Sequence, residues 1–375
     1  MSKPPSQPNV DTYALKAAEV AEIAAPELPY RPPVPKKKHR IALVGAGGIS
    51  AAHLKAYKTA GFDIAVIANR TLAKAEARRD EYYPQAEATD EFQRTLTRDD
   101  IDVVDITPHP AERYAMVETA LKAGKHVLSQ KPFVLDLDAG ARLCDLADAN
   151  NVRLAVNQNG RWAPHLSWMR EAVCAGLVGD VHSCDISIHW DHSWIGGTAF
   201  EEIDNLILYD FAVHWFDFLT SVTGSSATSV FASKAHASSQ TVKPPFLANT
   251  IVGFDGAQAS LTFDAAAKFG VEDRTVIAGS KGTLNSRGPD LSNQWVTLTT
   301  AEGIARPKLE GTWFTEGFVG TMAALLCAIE DGTQPLNDGR RNLDALALVF
   351  AAIASARQGK PVVPGTVRSL AAAEG

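Results

Sequence analysis

Apolar positions along this chain follow two different grammars. From Arg40, short apolar runs (IALVG at 41–45, DIAVIA at 63–68, IDVVDIT at 101–107, HVL at 126–128 and RLAVN at 153–157) alternate with amphipathic stretches at 49–61, 71–83, 113–124 and 137–151. Strands separated by helices of this length predict parallel βαβ units in a doubly wound α/β sheet of Rossmann type, over residues 40–160. After Asn159 the pattern changes. A helix from His165 to Ala175 and an apolar helix from Leu206 to Val222 flank the strand DVHSCDISIHW, and strand-like runs with turns between them then fill Ser229 to Leu298. That predicts an α+β domain over residues 161–375, built on a large, mainly antiparallel open sheet. Two late helices, Phe318–Ile329 and Asn342–Arg357, close back onto the structure. Residues 1–39 read as an arm, with a helical pattern from Tyr13 to Ala24 followed by the proline-rich PELPYRPPVP.

Composition removes several classes of partner. A net charge of −7 over 375 residues gives no basic field for nucleic acid and no polybasic segment for a membrane. The four cysteines, Cys144, Cys174, Cys184 and Cys327, have neither a disulfide-framework nor a zinc-site spacing. Neither a secretory signal nor a membrane-spanning apolar run is evident, so a cytoplasmic protein is expected.

Chemistry is concentrated in three segments. VGAGG places Gly45, Gly47 and Gly48 between the first strand and the first helix, the context in which a glycine turn lets a backbone approach a dinucleotide pyrophosphate. The contact set expected there is Gly45, Ala46, Gly47, Gly48 and Ile49. The second strand ends in Asn69, Arg70 and Thr71 with no acid for the ribose hydroxyls, which favours NADP over NAD. SQKPF sets Lys131 at the C-terminal edge of the sheet, where open α/β sheets hold ligands. In LILYDFAVHWFDFL, Asp210, His214 and Asp217 fall at i, i+4 and i+7 of one helix. An Asp one turn before a His suits a general base with its orienting carboxylate, and Asp217 reads as the structural member. His189, Asp191 and His192, together with Asp210 and His214, offer a second, metal-binding reading. Hydride transfer needs no metal, so none is expected. Trp190, Trp194 and Trp215 suit either a wall for a sugar face or the core.

Taken together, VGAGGISAAH, IDVVDITP, ALKAGKHVLSQKP, NQNGRWAP, the Asp210–His214 helix and GSKGTLN occur in an order that resembles the glucose–fructose oxidoreductase, inositol dehydrogenase and rhizopine-catabolism (Gfo/Idh/MocA) family. The resemblance runs from about Arg40 to Val363. It implies an NAD(P)-dependent sugar or polyol oxidoreductase with Lys131, Asp210 and His214 catalytic. It implies nicotinamide contacts from Thr107, Pro108 and His109 and from Asn159, Arg161 and Trp162; Gln130 and Lys131 are expected among the cofactor contacts too, and the substrate pocket is expected from Lys131, Trp162, His192, Trp194, Tyr209, Asp210 and His214. Oligomers, dimers or tetramers through the C-terminal sheet, are expected on the same basis. Three departures stand out: Gln130 replaces the family's usual glutamate; Glu112 or Arg113 lies near the place of a familiar histidine; Tyr209 stands where a smaller residue is common. Two other activities fit the residues: glycoside hydrolysis through transient oxidation in the same site, and non-catalytic dinucleotide sensing.

Overall fold

The computed structural model describes residues 20–224 and 226–371. Six parallel strands make the first sheet, in spatial order Glu87–Thr89, Asp63–Ala68, Arg40–Val44, Val103–Ile106, His126–Gln130 and Leu154–Asn157. Numbered along the chain this is 3-2-1-4-5-6, the dinucleotide-binding order, whose reversal opens a crevice past Val44 and Ile106. The third strand has no apolar run to mark it: Glu87–Thr89 is three residues long and largely polar. Helices Gly48–Ala60, Leu72–Tyr82, Pro110–Lys122 and Leu137–Ala149 supply the crossovers.

The second sheet has nine strands, in the order Glu22–Ile23, Ile304–Ala305, Trp295–Thr300, Gly282–Gly288, Glu272–Gly279, Val181–His189, Gln258–Asp264, Leu247–Phe254 and Ala227–Ala235. Its pairings are antiparallel except at Glu22–Ile23 with Ile304–Ala305 and at Gln258–Asp264 with Val181–His189. Alternating burial shows one face packed: Cys184, Ile186 and Ile188 are buried on one strand, Leu261 and Phe263 on its neighbour.

The N-terminal segment departs from expectation. Glu22–Ile23 is strand, hydrogen-bonded to the sheet border, and not the end of a helix; Tyr13–Glu19 of the expected helix lie outside the described residues. At the opposite border Val230 and Val362 exchange backbone hydrogen bonds of 2.8 Å in both directions.

Helix Thr315–Asp331 returns to the first sheet and buries Phe318, Met322, Leu325 and Leu326 in one cluster with Ile41, Leu43, Leu54 and Tyr57. Helix Gly339–Gln358 packs on Leu137–Ala149, on Val213–Val222 and on strand Ala227–Ala235. Among the described residues no helix is long and apolar enough to cross a membrane.

One core group works against this packing. Asp273 lies fully buried on the inner face of its strand, and neither carboxylate oxygen has a hydrogen-bond partner. Burial first, then Asp290 and Glu272, push its pKa up from 3.8 to about 8. A raised folded-state pKa means that the group's contribution is intact below 3.8 and is lost as pH rises towards 8. Asp273→Asn should therefore stabilise the fold by about 1 kcal/mol at pH 8 and by little at pH 4. Thermal unfolding at both pH values checks it.

Candidate active site

The crevice begins at Gly45, whose φ of +100° suits glycine and where a side chain would overlap the Thr107 hydroxyl. That hydroxyl donates to the carbonyls of Val44 and Gly45, each at 3.0 Å, and ties the two strand ends together. Past the turn, Gly47 and Gly48 have no atom within 4 Å of where a Cβ would stand, and Gly48 opens helix Gly48–Ala60. Open space before unbonded helix N–H groups fits a pyrophosphate. Asn69 is bonded within this loop: its Oδ1 accepts from Ala46 N at 3.0 Å, and its Nδ2 donates to Thr71 O at 3.0 Å. The Arg70 guanidinium is 88% exposed and 3.6 Å from the Glu112 carboxylate. His109 is exposed and Pro108 half-buried at the start of helix Pro110–Lys122.

Lys131 follows strand His126–Gln130 and is positioned from both sides. Its backbone N–H donates to Gln130 Oε1 at 2.7 Å. The Gln130 amide nitrogen meets His53 Nε2 at 2.9 Å, His53 Nδ1 meets Asp105 Oδ2 at 2.8 Å, and Tyr57 donates to the same oxygen at 2.7 Å. Asn157 also reaches His53 Nε2, at 3.0 Å, and its own Oδ1 accepts from Thr321 at 2.6 Å. The Gln130 side chain is thus held in a buried network. The network also accounts for glutamine at this position. An amide carries both a donor and an acceptor, so it can meet His53 Nε2 whichever ring nitrogen carries the proton.

The Lys131 ammonium donates to Asp210 O at 2.8 Å and to Asp210 Oδ2 at 3.0 Å, with both side chains mostly buried. Asp210 lies in a π-helical turn, Ile207–Phe211, closed by Ala212 N to Ile207 O at 2.8 Å. A regular α-helix begins only at Val213. The five-residue turn breaks the expected i, i+4, i+7 face. Asp210 makes no hydrogen bond to His214; it holds Lys131 instead. His214 Nδ1 is buried without a partner, and its ring stands edge-on to Trp313 at 5.4 Å and to Trp215 at 6.3 Å. Burial, then the Lys131 charge, hold the imidazole pKa well below 6.5. Gly160 permits this packing, since a Cβ there would lie 3.0 Å from the Trp313 ring and 3.6 Å from His214 Cβ.

Two residues expected on the cofactor belong to the frame. The Arg161 guanidinium donates to Asp217 at 2.6 and 3.0 Å and to Leu336 O at 3.0 Å, which also shows Asp217's structural role. Trp162, 2% exposed, packs on Gly320, and the Arg170 guanidinium lies 5.7 Å from its ring. Asn159 and Gln158 are buried beside them, with Asn159 Nδ2 and both ends of the Gln158 amide unbonded.

On the second domain, His192 packs edge-on to Phe211 at 4.3 Å and stacks with Trp190 at 5.6 Å. Its Nδ1 is buried and unbonded, and burial lowers its pKa while Asp191 and Asp210 oppose the shift. Trp194 stands 55% exposed near His192 and Phe211, and the Lys131 ammonium is 6.0 Å from the Phe211 ring. Tyr209 is 4% exposed, with its hydroxyl 3.5 Å from Val134 O. Among the described residues no group of three or more His, Cys, Asp or Glu is placed to hold a metal ion, so the alternative ligand set does not assemble.

The structure brings one further group to this junction that sequence reasoning left as one of two possibilities. Arg113 is 1% exposed, and its pKa falls to about 10 through burial, against the opposing influence of Tyr209 and Asp210. Glu112, its neighbour, faces outward to Arg70. Its sequence signal was an arginine in the first turn of a helix starting at the ligand edge.

Residues 39–158 match the oxidoreductase family with an NAD-binding Rossmann fold, and residues 167–285 match the C-terminal domain of the same GFO/IDH/MocA family. The chain is 26% identical to an inositol 2-dehydrogenase of Rhizobium meliloti over 332 residues, 86% of this chain and 98% of that one. It is 25% identical to a D-apiose dehydrogenase of Paraburkholderia graminis over 355 residues, 87% and 90% of the two chains. Among solved structures, an oxidoreductase from Agrobacterium radiobacter in complex with NAD+, L-tartaric acid and magnesium has the same fold, with a TM-score of 0.79, 21% identity, and 88% and 99% coverage. The 3-2-1-4-5-6 sheet, the glycine turn and the nine-stranded second sheet agree with these matches, and the chain belongs to the Gfo/Idh/MocA family of NAD(P)-dependent oxidoreductases.

Proposed function

We propose that this enzyme transfers a hydride between a nicotinamide dinucleotide and a hydroxyl-bearing carbon of a sugar, polyol or derivative. The observation that carries the reading is the Lys131 ammonium clamped by Asp210 at the ligand edge of the first sheet, beside an imidazole held neutral. The bound dinucleotide, held along Gly45–Ile49 and Thr107–Pro108, would supply the hydride acceptor or donor. His214 takes the proton of the substrate hydroxyl, and its depressed pKa keeps the free base available through neutral pH. Lys131 donates a hydrogen bond to the same oxygen and stabilises the negative charge that develops there. Asp210 aims the ammonium with its carbonyl and its carboxylate; it does not orient the histidine. Trp194 and His192 offer a face for the sugar ring. The outer face of the nine-stranded sheet, where Phe231 and Ile251 are 41% and 47% exposed, supports a homodimer or homotetramer contact.

The exposed Arg70, with no carboxylate ending its own strand, supports NADP over NAD. NAD and NADP titrated in parallel, followed by a panel of sugars and polyols, test both readings. NADP should bind more tightly, and Arg70→Ala should cost about tenfold in NADP affinity and little in NAD affinity. Tighter NAD binding would overturn the preference; binding of neither would overturn the hydride reading.

A further inference from the structure

Helix Gly48–Ala60 carries two polar side chains into the core. His53 and Tyr57, one turn apart, are wholly buried, and so is Asp105 on strand Val103–Ile106. Asp105 Oδ2 accepts from Tyr57 at 2.7 Å and meets His53 Nδ1 at 2.8 Å, while Oδ1 is buried without a partner. The face of the imidazole rests on the Phe318 ring, 4.3 Å away. A buried polar set costs more than apolar side chains of the same size, and this one leads out only through the second imidazole nitrogen.

That nitrogen leads to Lys131. His53 Nε2 meets the Gln130 amide nitrogen at 2.9 Å, and Gln130 Oε1 accepts from the Lys131 backbone N–H at 2.7 Å. A backbone N–H only donates, so the amide oxygen must face the lysine and the amide nitrogen the imidazole. The other contact on this amide, from Asn157 Nδ2 to Gln130 Oε1, is long at 3.4 Å. A glutamine side chain has many rotamers, and the imidazole selects the one that holds the next residue's backbone. Lys131 is therefore fixed at its root by this amide and at its tip by Asp210 O and Oδ2, at 2.8 and 3.0 Å.

We propose that His53 is a positioning residue for Lys131: acting through Gln130, it sets the root of the lysine side chain so that the ammonium falls where the substrate oxygen is met. The inference rests on the proposed hydride transfer and adds a wholly buried residue to it. Asp105 and Tyr57 hold the ring in turn, at Nδ1. A misplacement of about 1 Å at a reacting group can cost on the order of a hundredfold in rate, so a broken link in this chain belongs in kcat.

The test divides the imidazole between two amides. In His53→Gln the side-chain amide reaches the place of Nε2 and keeps a partner for Gln130; in His53→Asn it reaches the place of Nδ1 and keeps a partner only for Asp105. Asparagine, which leaves the buried Asp105 better satisfied, should be the more stable variant in urea, and glutamine the more active. kcat is expected to fall about tenfold or more in His53→Asn and at most about threefold in His53→Gln, with dinucleotide affinity within about threefold of wild type in both. Added to Lys131→Met, His53→Asn should bring no further loss, because the ammonium through which it acts is gone. Unchanged kcat in His53→Asn, additive loss in the double variant, or activity that ranks with stability would overturn the proposal, as a purely structural histidine would give. If the His53 variants do not fold, Gln130→Met cuts the same link from its other end: a loss of kcat that vanishes on the Lys131→Met background supports the proposal, and an additive loss overturns it. Should no substrate turn over, or Lys131→Met keep full turnover, the hydride reading fails separately, and modification of Lys131 by trinitrobenzenesulfonate in the full-length protein, followed by peptide mass spectrometry, still reads the positioning. Severalfold faster modification in His53→Asn than in His53→Gln supports it; equal rates in the two overturn it.

Discussion

Replacing Lys131 with methionine should lower turnover about a hundredfold or more while dinucleotide affinity stays within about threefold. Methionine approximates the length of the stem and removes the ammonium, so the variant deletes a donor without emptying the space. Two losses combine. The developing oxyanion loses its hydrogen bond, and the Asp210 carboxylate, mostly buried, loses the cation that it holds at 3.0 Å. Arginine would be a poor rescue, because its planar fork cannot occupy the point defined by Asp210 O and Oδ2 together. Steady-state kinetics with a cofactor titration on the same preparation checks the result. Turnover at the wild-type level would remove Lys131 from the chemistry.

The largest effect on stability is expected at Asp217→Ala. Both Asp217 oxygens accept from the Arg161 guanidinium, at 2.6 and 3.0 Å, and both side chains are almost wholly buried. Breaking one half of a buried ion pair leaves the other charge without compensation, at a cost of about 3–5 kcal/mol. Arg161 would retain one bond, to Leu336 O. Urea unfolding should show the midpoint falling with little change in slope. Because the pair is separate from the Lys131–Asp210 contact, the folded fraction should keep a cofactor affinity close to that of the wild type. A midpoint within error of the wild type would show that the pair does not hold the frame.

These two variants also mark what the sequence could and could not convey. The alternation of strand and helix was written in residue periodicity, and it located the first sheet, its glycine turn and the lysine edge. The strand Glu87–Thr89 escaped because three mostly polar residues carry no period. The π-turn at Ile207–Phe211 escaped because one extra residue in a turn leaves hydrophobic spacing nearly unchanged while rotating every side chain after it. Asp210, inside that turn, holds Lys131 and makes no hydrogen bond to His214. Arg161 and Trp162 lie next to the right edge in sequence, yet partners more than fifty residues away, Asp217 and Gly320, decide where they point. Arg113 stood in the sequence only as one of two residues near the place of a familiar histidine, and only tertiary packing reveals that it is buried.

The borders of the large sheet set how this protein behaves in concentrated solution. An open sheet border offers a row of free amides and carbonyls on which another copy can polymerise. Among the described residues one border strand is the two-residue Glu22–Ile23, and the other, Ala227–Ala235, is bridged at Val230 by Val362. These short flanking stretches add little apolar burial, so their worth lies in colloidal stability: they keep a β-rich molecule from using itself as a template.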